Sequence, residues 1–184
     1  MKGIVFTEFL DLVETKFGAE TLEQIIDGAH LLTKGAYTTV GTYDHRELVS
    51  LVMQLSKTTG IAPDVLIRTF GEHLFGRFVK GFPQFFEGVT TAFEFLSKID
   101  GHIHVEVRKL YPDAELPQFQ FRQLEPRKAE MIYSSSRHFA DLAHGLIAGC
   151  ASHYRESIQI QRQDLPAASG SAVRFLLTRC ENSP

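Results

Sequence analysis

Three polar side chains at alternate positions, Tyr133, Ser135 and Arg137, form the short motif with the clearest chemistry in this sequence. In an extended strand, alternate side chains point to the same side, so a phenol, a hydroxyl and a guanidinium would converge there. All three donate hydrogen bonds, and the guanidinium can bind a carboxylate through two parallel bonds. The motif therefore predicts an anion site, although a polar strand edge that faces water would show the same pattern.

His104 is the second candidate, at the border of an apolar helical stripe. Its imidazole could bind a metal ion, but a histidine in such a place is more often a packed, hydrogen-bonded side chain. His102 would not form a chelating pair with it, because residues two apart on a helix point in different directions. No HExxH, CxxC or zinc-finger spacing is present, so the pattern does not predict a zinc site.

Motifs of common enzymes are absent from the sequence. It contains no GxGxxG, no phosphate-binding loop and no GxSxG. Ser134, Ser135 and Ser136 lie close to His138, but they lack the glycines of a nucleophile elbow. We therefore predict that the chain is not an enzyme.

The composition is that of one soluble globular domain. The 184 residues are 43% hydrophobic and 22% charged, enough for a sizeable core. The net charge of -3 offers no basic surface for nucleic acid. No run approaches the roughly 18 to 20 apolar residues that span a bilayer, and Glu8 comes too early for a signal peptide. Cys150 and Cys180 are too few for a disulfide framework, and we expect a cytoplasmic protein with neither nucleic-acid nor membrane partners.

Phenylalanine is concentrated in one stretch of the chain. There are 15 Phe and no Trp, and eight of the Phe lie between Phe70 and Phe95. Such a concentration usually forms a core. A pocket that surrounds a large, flat, apolar ligand would show it too.

Hydrophobic periodicity predicts helices through the first 110 or so residues. One helix should run from Gly3 to Phe17 and end at Gly18. Asp44 and Glu47 fit a capping box at the start of another, in which each side chain would satisfy a free backbone amide. A further helix should begin at Pro63.

A single long helix is predicted to carry His104, because apolar residues recur at intervals of three and four. These residues are Leu96, Ile99, Ile103, Val107 and Leu110. Pro112 should end the helix.

The remaining sequence alternates apolar and polar residues, which indicates strands. Phe119 and Phe121 would lie on one strand of an antiparallel hairpin, with Met131 and Tyr133 on the other. A helix and two more strands should follow. We therefore predict one α+β domain over residues 1–184: a helical N-terminal part of about residues 1–60, then a part of about residues 61–184 with a four-stranded antiparallel sheet and a packed helix.

Taken together, these residues resemble the haem–nitric oxide/oxygen binding (H-NOX) family, in particular its stand-alone bacterial nitric oxide sensors, which are related to the haem domain of soluble guanylate cyclase. The resemblance covers essentially the whole chain. It rests on Met1-Lys2-Gly3, Gly71, His104, Tyr111-Pro112, Pro117 and the YxSxR triplet. His104 and the triplet at this separation are specific together, although each is weak alone.

The resemblance implies that haem b, iron protoporphyrin IX, is buried between the two parts, with His104 as the proximal iron ligand. Tyr133, Ser135 and Arg137 would hydrogen-bond the haem propionates, and Pro117 would press on one face of the macrocycle. The distal gas pocket would be lined by apolar side chains, namely Val5, Phe9, Leu74, Leu142 and Leu146.

The distal lining implied by the resemblance also predicts which gas is bound. Family members that bind oxygen stably have a distal tyrosine five residues after the arginine of the triplet, where this chain has Leu142, and the companion polar position is Leu74. The missing charge-assisted hydrogen bond is worth about 1.5–3 kcal/mol, or about tenfold or more in oxygen affinity. We therefore expect a nitric oxide sensor that discriminates against oxygen, with CO as a further ligand.

The signalling mechanism that the resemblance implies begins when nitric oxide breaks the iron–His104 bond. The helical part would then shift against the sheet part, and a separate histidine kinase or cyclic-di-GMP enzyme would respond. Two alternatives remain open from the sequence. The chain could carry gas or haem without regulating a partner, or bind an acyl or aromatic ligand without haem.

Overall fold

Seven α-helices and four strands make up residues 1–180, the part of the chain that this computed structural model describes. The helices are α1 Gly3–Phe17, α2 Ala19–Gly28, α3 His45–Thr59, α4 Pro63–Gly81, α5 Ala92–Ser97, α6 His104–Leu110 and α7 Ala140–His153. The strands are β1 Gln118–Glu125, β2 Lys128–Ser135, β3 Ile158–Leu165 and β4 Ser171–Arg179. A 3-10 turn, Pro83–Phe85, follows α4, and a π-helical turn, Ile99–Ile103, joins α5 to α6. None of the helices in this part of the chain is long and apolar enough to cross a membrane.

The capping box predicted at the start of α3 forms only in part. Asp44 accepts a hydrogen bond from the backbone amide of Arg46 at 2.9 Å, as a cap should. Glu47 instead turns away from the helix end and accepts hydrogen bonds from the hydroxyl groups of Thr33 at 2.5 Å and Tyr37 at 2.6 Å. These two hydrogen bonds connect the loop before α3 to the buried carboxylate on that helix.

The prediction of one long helix before Pro112 was wrong. The chain forms α5, then the π-helical turn, then α6. In the turn, the amide of Ile103 bonds to the carbonyl of Lys98 at 3.0 Å, five residues back instead of four. Apolar spacing did not reveal the inserted residue, because a stripe with intervals of three and four is compatible with both kinds of turn.

The four strands form one antiparallel sheet in the order β1-β2-β4-β3, which confirms the predicted α+β class. Tyr133 on β2 lies opposite Phe119 on β1 and Val173 on β4. Alternate residues of β2 are buried and pack in one cluster with the apolar side chains of α5 and α7. Because β2 is paired with β1 on one side and with β4 on the other, its backbone and the direction of its side chains are fixed.

Two buried clusters make up the core of the described residues. The first joins α1, α2 and α3 to α4, and the second joins α5, α7 and the sheet. Helix α4 contributes to both, with Phe70 and Leu74 in the first cluster and Phe75 in the second. A boundary between subdomains near residue 60 remains a prediction.

Helices α4 and α7 cross at two glycines. A Cβ atom on Gly71 would lie 2.6 Å from the carbonyl oxygen of Leu142, and one on Gly145 would lie 2.1 Å from that of Arg68. The backbones therefore approach more closely than any side chain would allow. This crossing brings Leu74 of α4 and Leu142 of α7 to the same region of the interior.

Candidate functional site

An apolar cavity of about 310 Å³ lies where the two core clusters meet. Side chains of α1, α4, α5, α6, α7 and the β1–β2 hairpin line it, together with the segment that follows α6. Its polar lining groups include Tyr133, Ser135 and Arg137 at and just after the end of β2, the polar end, and His104 at the start of α6. Few convergent polar groups in an apolar cavity are typical of small-molecule and cofactor sites.

Tyr133, Ser135 and Arg137 lie together at the polar end of the cavity. Strand β2 stops at Ser135, so Arg137 follows on a bend instead of the extended strand expected. Hydrogen bonds keep the three together: the amide of Arg137 donates to the hydroxyl of Ser135 at 3.1 Å, and the phenol of Tyr133 donates to the carbonyl of Arg137 at 3.4 Å. The hydroxyl of Ser171 donates to the same carbonyl at 2.9 Å.

The charge and protonation of this end suit an anionic group. The guanidinium of Arg137 is 14% exposed and pairs with the carboxylate of Glu115. This pair demonstrates that a carboxylate can reach the guanidinium from the segment before Pro117. Burial raises the pKa of Tyr133, so its phenol remains a hydrogen-bond donor at neutral pH.

His104 lies on a different wall of the cavity, with its side chain 12% exposed. Its Nδ1 is 3.3 Å from a carboxylate oxygen of Asp100, and the same oxygen accepts the backbone amide of Phe119 at 3.4 Å. Burial lowers the pKa of His104, which favours the neutral imidazole that metals bind. Because Asp100 occupies Nδ1, Nε2 is the candidate metal-binding nitrogen. Pro117 also lines the cavity, and its backbone lies beside the imidazole.

The wall expected to form the distal gas pocket is apolar. Four of its five predicted residues line the cavity, namely Val5, Leu74, Leu142 and Leu146. Phe9 instead lies one layer behind, where its ring packs edge-to-face on Phe70 with centroids 5.2 Å apart. None of the four side chains carries a hydrogen-bond donor.

Sequence reasoning missed several residues of the site. Phe82 and Phe86 line the cavity and stack on neighbouring rings, Phe86 on Phe95 at 4.7 Å. The concentration of phenylalanine was typical of a core and also compatible with such a pocket, but it did not show which rings face the cavity. Asp100 was also missed, although its position four residues before His104 could have suggested an intrahelical partner.

The side chains of the cavity fit a metal ion that is already bound by another molecule and needs only one ligand from the protein. Within residues 1–180, no group of three or more His, Cys, Asp or Glu could hold a metal ion, so His104 would be a single protein ligand. A planar metal macrocycle would supply the other ligands and occupy apolar space. Carboxylate tails on that macrocycle would match the Tyr133, Ser135 and Arg137 cluster. These residues therefore fit haem.

Comparison with known proteins agrees with this fit. A family model described as haem-NO-binding matches residues 2–162. The unliganded Fe(II) H-NOX protein of K. algicida is 40% identical, with a TM-score of 0.91 over 99% of this chain and 98% of that one. The H-NOX of Shewanella woodyi, solved in solution with IWP-051 bound in its Fe(II)CO state, is 41% identical, with a TM-score of 0.84 over 100% of this chain and 97% of that one.

Two more distant proteins match over different extents. The H-NOX protein of S. oneidensis in its Fe(II)NO state is 23% identical, with a TM-score of 0.89 over 98% of this chain and 100% of that one. The soluble guanylate cyclase 89Db of Drosophila melanogaster is 27% identical over 143 residues, or 74% of this chain. Those residues are 20% of the cyclase, so the match covers about a fifth of that relative.

Proposed function

Since this chain belongs to the haem-NO-binding (H-NOX) family, whose members are haem-based gas sensor domains and not enzymes, we propose that it is a nitric oxide sensor that regulates a separate signalling protein. The observation that carries the proposal is the arrangement of the cavity. A single imidazole lines a largely apolar cavity, Tyr133, Ser135 and Arg137 lie together with Arg137 paired to a carboxylate, and the wall with Leu74 and Leu142 lacks donors.

We propose haem b as the cofactor, with each protein group in one role. Nε2 of His104 would bind the iron, and Asp100 would hold the imidazole ring in place through Nδ1. Tyr133, Ser135 and Arg137 would bind the propionates. Pro117 would limit the position of the macrocycle on the His104 side.

Haem would supply the iron that takes up the gas, and nitric oxide would weaken and break the iron–His104 bond. The apolar wall near Leu74 and Leu142 would decide the gas selectivity, because oxygen would receive no hydrogen bond there. That missing bond is worth about 1.5–3 kcal/mol, which disfavours oxygen by about tenfold or more. Nitric oxide and CO need no such donor.

The segment after His104 offers a route from the cavity to the N-terminal helices. Tyr111 directly follows α6, and the centre of its ring lies 4.8 Å from the ammonium group of Lys2. The same ammonium donates to Thr42 at 2.9 Å and pairs with Asp113 at 3.5 Å. A shift of α6 would therefore be transmitted to the start of α1. We propose a histidine kinase or a cyclic-di-GMP enzyme as the protein that responds.

Absorption spectra of the purified, reduced protein test the proposal. We expect a five-coordinate ferrous haem that is unchanged in air and becomes a five-coordinate nitrosyl with NO. A stable oxygen complex would overturn the gas selectivity, and a colourless protein that takes up no added haem would overturn the cofactor.

A second assay distinguishes a sensor from a carrier of gas or haem. The activity of a candidate kinase or cyclic-di-GMP enzyme is measured with the haem-loaded protein, with and without NO. A sensor changes that activity when NO is added. Equal activities in both states would contradict regulation of that partner.

A further inference from the structure

The π-helical turn Ile99–Ile103 immediately precedes His104. The amide of Ile103 bonds to the carbonyl of Lys98, and the amide of His104 bonds to that of Ile99, each five residues back. Relative to a continuous α-helix, the chain therefore contains one extra residue between α5 and α6. Such π-bulges occur often at functional sites.

Gly101 lies inside this turn, although neither its backbone conformation nor steric crowding requires a glycine there. Its φ is not in the left-handed region, and a Cβ atom there would meet nothing within 4 Å. Glycine is among the weakest helix formers, because its backbone loses the most freedom on folding. The residue therefore weakens the helix just before the proposed iron ligand, which favours a change of hydrogen bonding in that turn.

The segment packs through partly buried side chains, among them Ile99 and Ile103 against the second core cluster. Neither the π-helical turn nor α6 contains a fully buried residue. Helix α6 is 7 residues long and ends at Leu110, and at Tyr111 the backbone leaves the helical region before Pro112. If the extra residue moved toward the C-terminal end of α6, it would therefore leave the helix within two turns.

Displacing the extra residue has a defined effect on His104. If the extra residue leaves the π-helical turn, each residue after the turn takes the place of the residue that follows it. This change is a rotation of about 100° and a rise of about 1.5 Å along the helix. Ile103 would then take the place of His104, and His104 the place of Val105. Both Ile103 and His104 already line the cavity, whereas Val105 is 39% exposed.

We propose that the π-helical turn is a register switch. It holds His104 at the cavity wall, and once the iron–His104 bond is broken the extra residue moves to the C-terminal end of α6. Ile103 then covers the wall and His104 turns toward solvent, so that it does not rebind at once and the signalling state persists. The switch rests on the proposed function, because it acts after that bond breaks.

Chemical modification of His104 tests the switch in the unaltered, haem-loaded protein. Diethyl pyrocarbonate modification is quantified residue by residue by mass spectrometry, before and after NO. The side chain of His104 is largely buried at the cavity wall and its new place is that of the exposed Val105, so modification should rise severalfold after NO. If the bond breaks without a register change, His104 remains shielded in the cavity, and an unchanged modification rate overturns the switch.

Deletion of Gly101 provides the complementary variant, because it removes the extra residue while keeping the present orientation of His104. The ferrous protein should remain five-coordinate, whereas its NO complex should keep His104 and be mainly six-coordinate. The control is Gly76→Ala, since Gly76 is an exposed glycine of α4 whose Cβ would also meet nothing. The control should behave as the unaltered protein does.

The outcomes separate the switch from the proposed function. If the unaltered protein and the deletion variant both give five-coordinate nitrosyls, the switch is wrong and the nitric oxide sensor stands. If the unaltered protein remains six-coordinate with NO, both are wrong. If the deletion variant binds no haem, the modification of His104 in the unaltered protein decides alone.

Discussion

The two polar regions of the cavity are built in opposite ways. Tyr133 lies on a central strand that is paired on both sides, and it is 2% exposed. The backbone of Arg137 next to it is held by Ser135 and Ser171. His104, in contrast, begins a short helix with no fully buried residue, directly after a π-helical turn.

This difference suggests that the two regions have different roles. A central strand that is paired on both sides opens rarely, whereas a short helix without fully buried residues opens at low free-energy cost. The rigid end suits the parts of a cofactor that must remain in place. The weakly packed end suits a ligand that has to leave. The following changes test this contrast, from the largest expected effect to the smallest.

Replacing the movable ligand should have the largest effect. In His104→Gly the proposed iron–imidazole bond is lost, while the triplet and the apolar wall still hold haem. Added imidazole should then restore the five-coordinate ferrous spectrum, because it can occupy the space that the side chain leaves. His102→Gly is the matched control, since that side chain is exposed two residues away. Unaltered ligation in His104→Gly would assign the proximal role to another residue, with His102 examined first.

Weakening the rigid end should reduce haem retention without changing the iron ligand. Arg137→Ala removes a charge-assisted bond worth about 1.5–3 kcal/mol, so haem affinity should fall about 10- to 100-fold. Transfer of haem to apomyoglobin measures this change. Arg122→Ala is the control, because Arg122 pairs with Glu130 and does not line the cavity. An equal effect of both variants would contradict a propionate role for Arg137.

Adding a donor to the distal wall should change gas selectivity and leave both ends intact. Leu142→Tyr should raise oxygen affinity about tenfold or more, since its hydroxyl could donate to bound oxygen. Oxygen titration of the reduced protein measures the effect. Leu142→Phe provides the ring without the hydroxyl, so it should not raise the affinity. If the tyrosine variant matches the phenylalanine variant, the wall near Leu142 is not the gas site.

Acid should slightly lower the free energy of unfolding through His144, a residue of α7 that packs against the sheet. Burial lowers the pKa of His144, which packs against Phe175, and nearby Arg68 and Arg162 lower it further while Asp141 opposes them. Because the folded pKa lies below the unfolded value of about 6.5, the unfolded state takes up the proton first and stability falls as the pH drops below that value.

His144→Gln should remove this part of the acid dependence. The midpoint of thermal unfolding should fall less between pH 7.5 and pH 5 than it does in the unaltered protein. Parallel declines in the two proteins would show that His144 is not responsible.

Regular elements could be predicted from the sequence because their hydrophobic periods are distinct. Helix α1 ends at Gly18 as expected, and the hairpin pairs Phe119 with Tyr133 as the alternating pattern suggested. The π-helical turn could not be predicted, because one extra residue leaves the apolar spacing almost unchanged. Local hydrogen bonding, not hydrophobicity, distinguishes the two helical registers.

The candidate site was predictable only through a combination of residues. His104 and the triplet are each common patterns, and only the resemblance to the H-NOX family made the combination at this separation specific. Phe9 shows the limit of such reasoning, since its burial was foreseen but its position behind the wall depends on how α1 packs on α4. Asp100 could have been suggested by its position four residues before His104, whereas its second contact, with the amide of Phe119, depends on the tertiary structure.

The pairing of β1 with β2 also has a consequence for engineering the length of the chain. The turn between Glu125 and Lys128 and the bulge between Gln123 and Glu125 together set the register that places Tyr133 opposite Phe119. Since side chains alternate along a strand, one residue inserted there would turn Tyr133 and Ser135 to the opposite face of the sheet if the pairing slipped with it. A library of insertions or inserted tags should therefore leave this turn at its present length and vary exposed loops elsewhere.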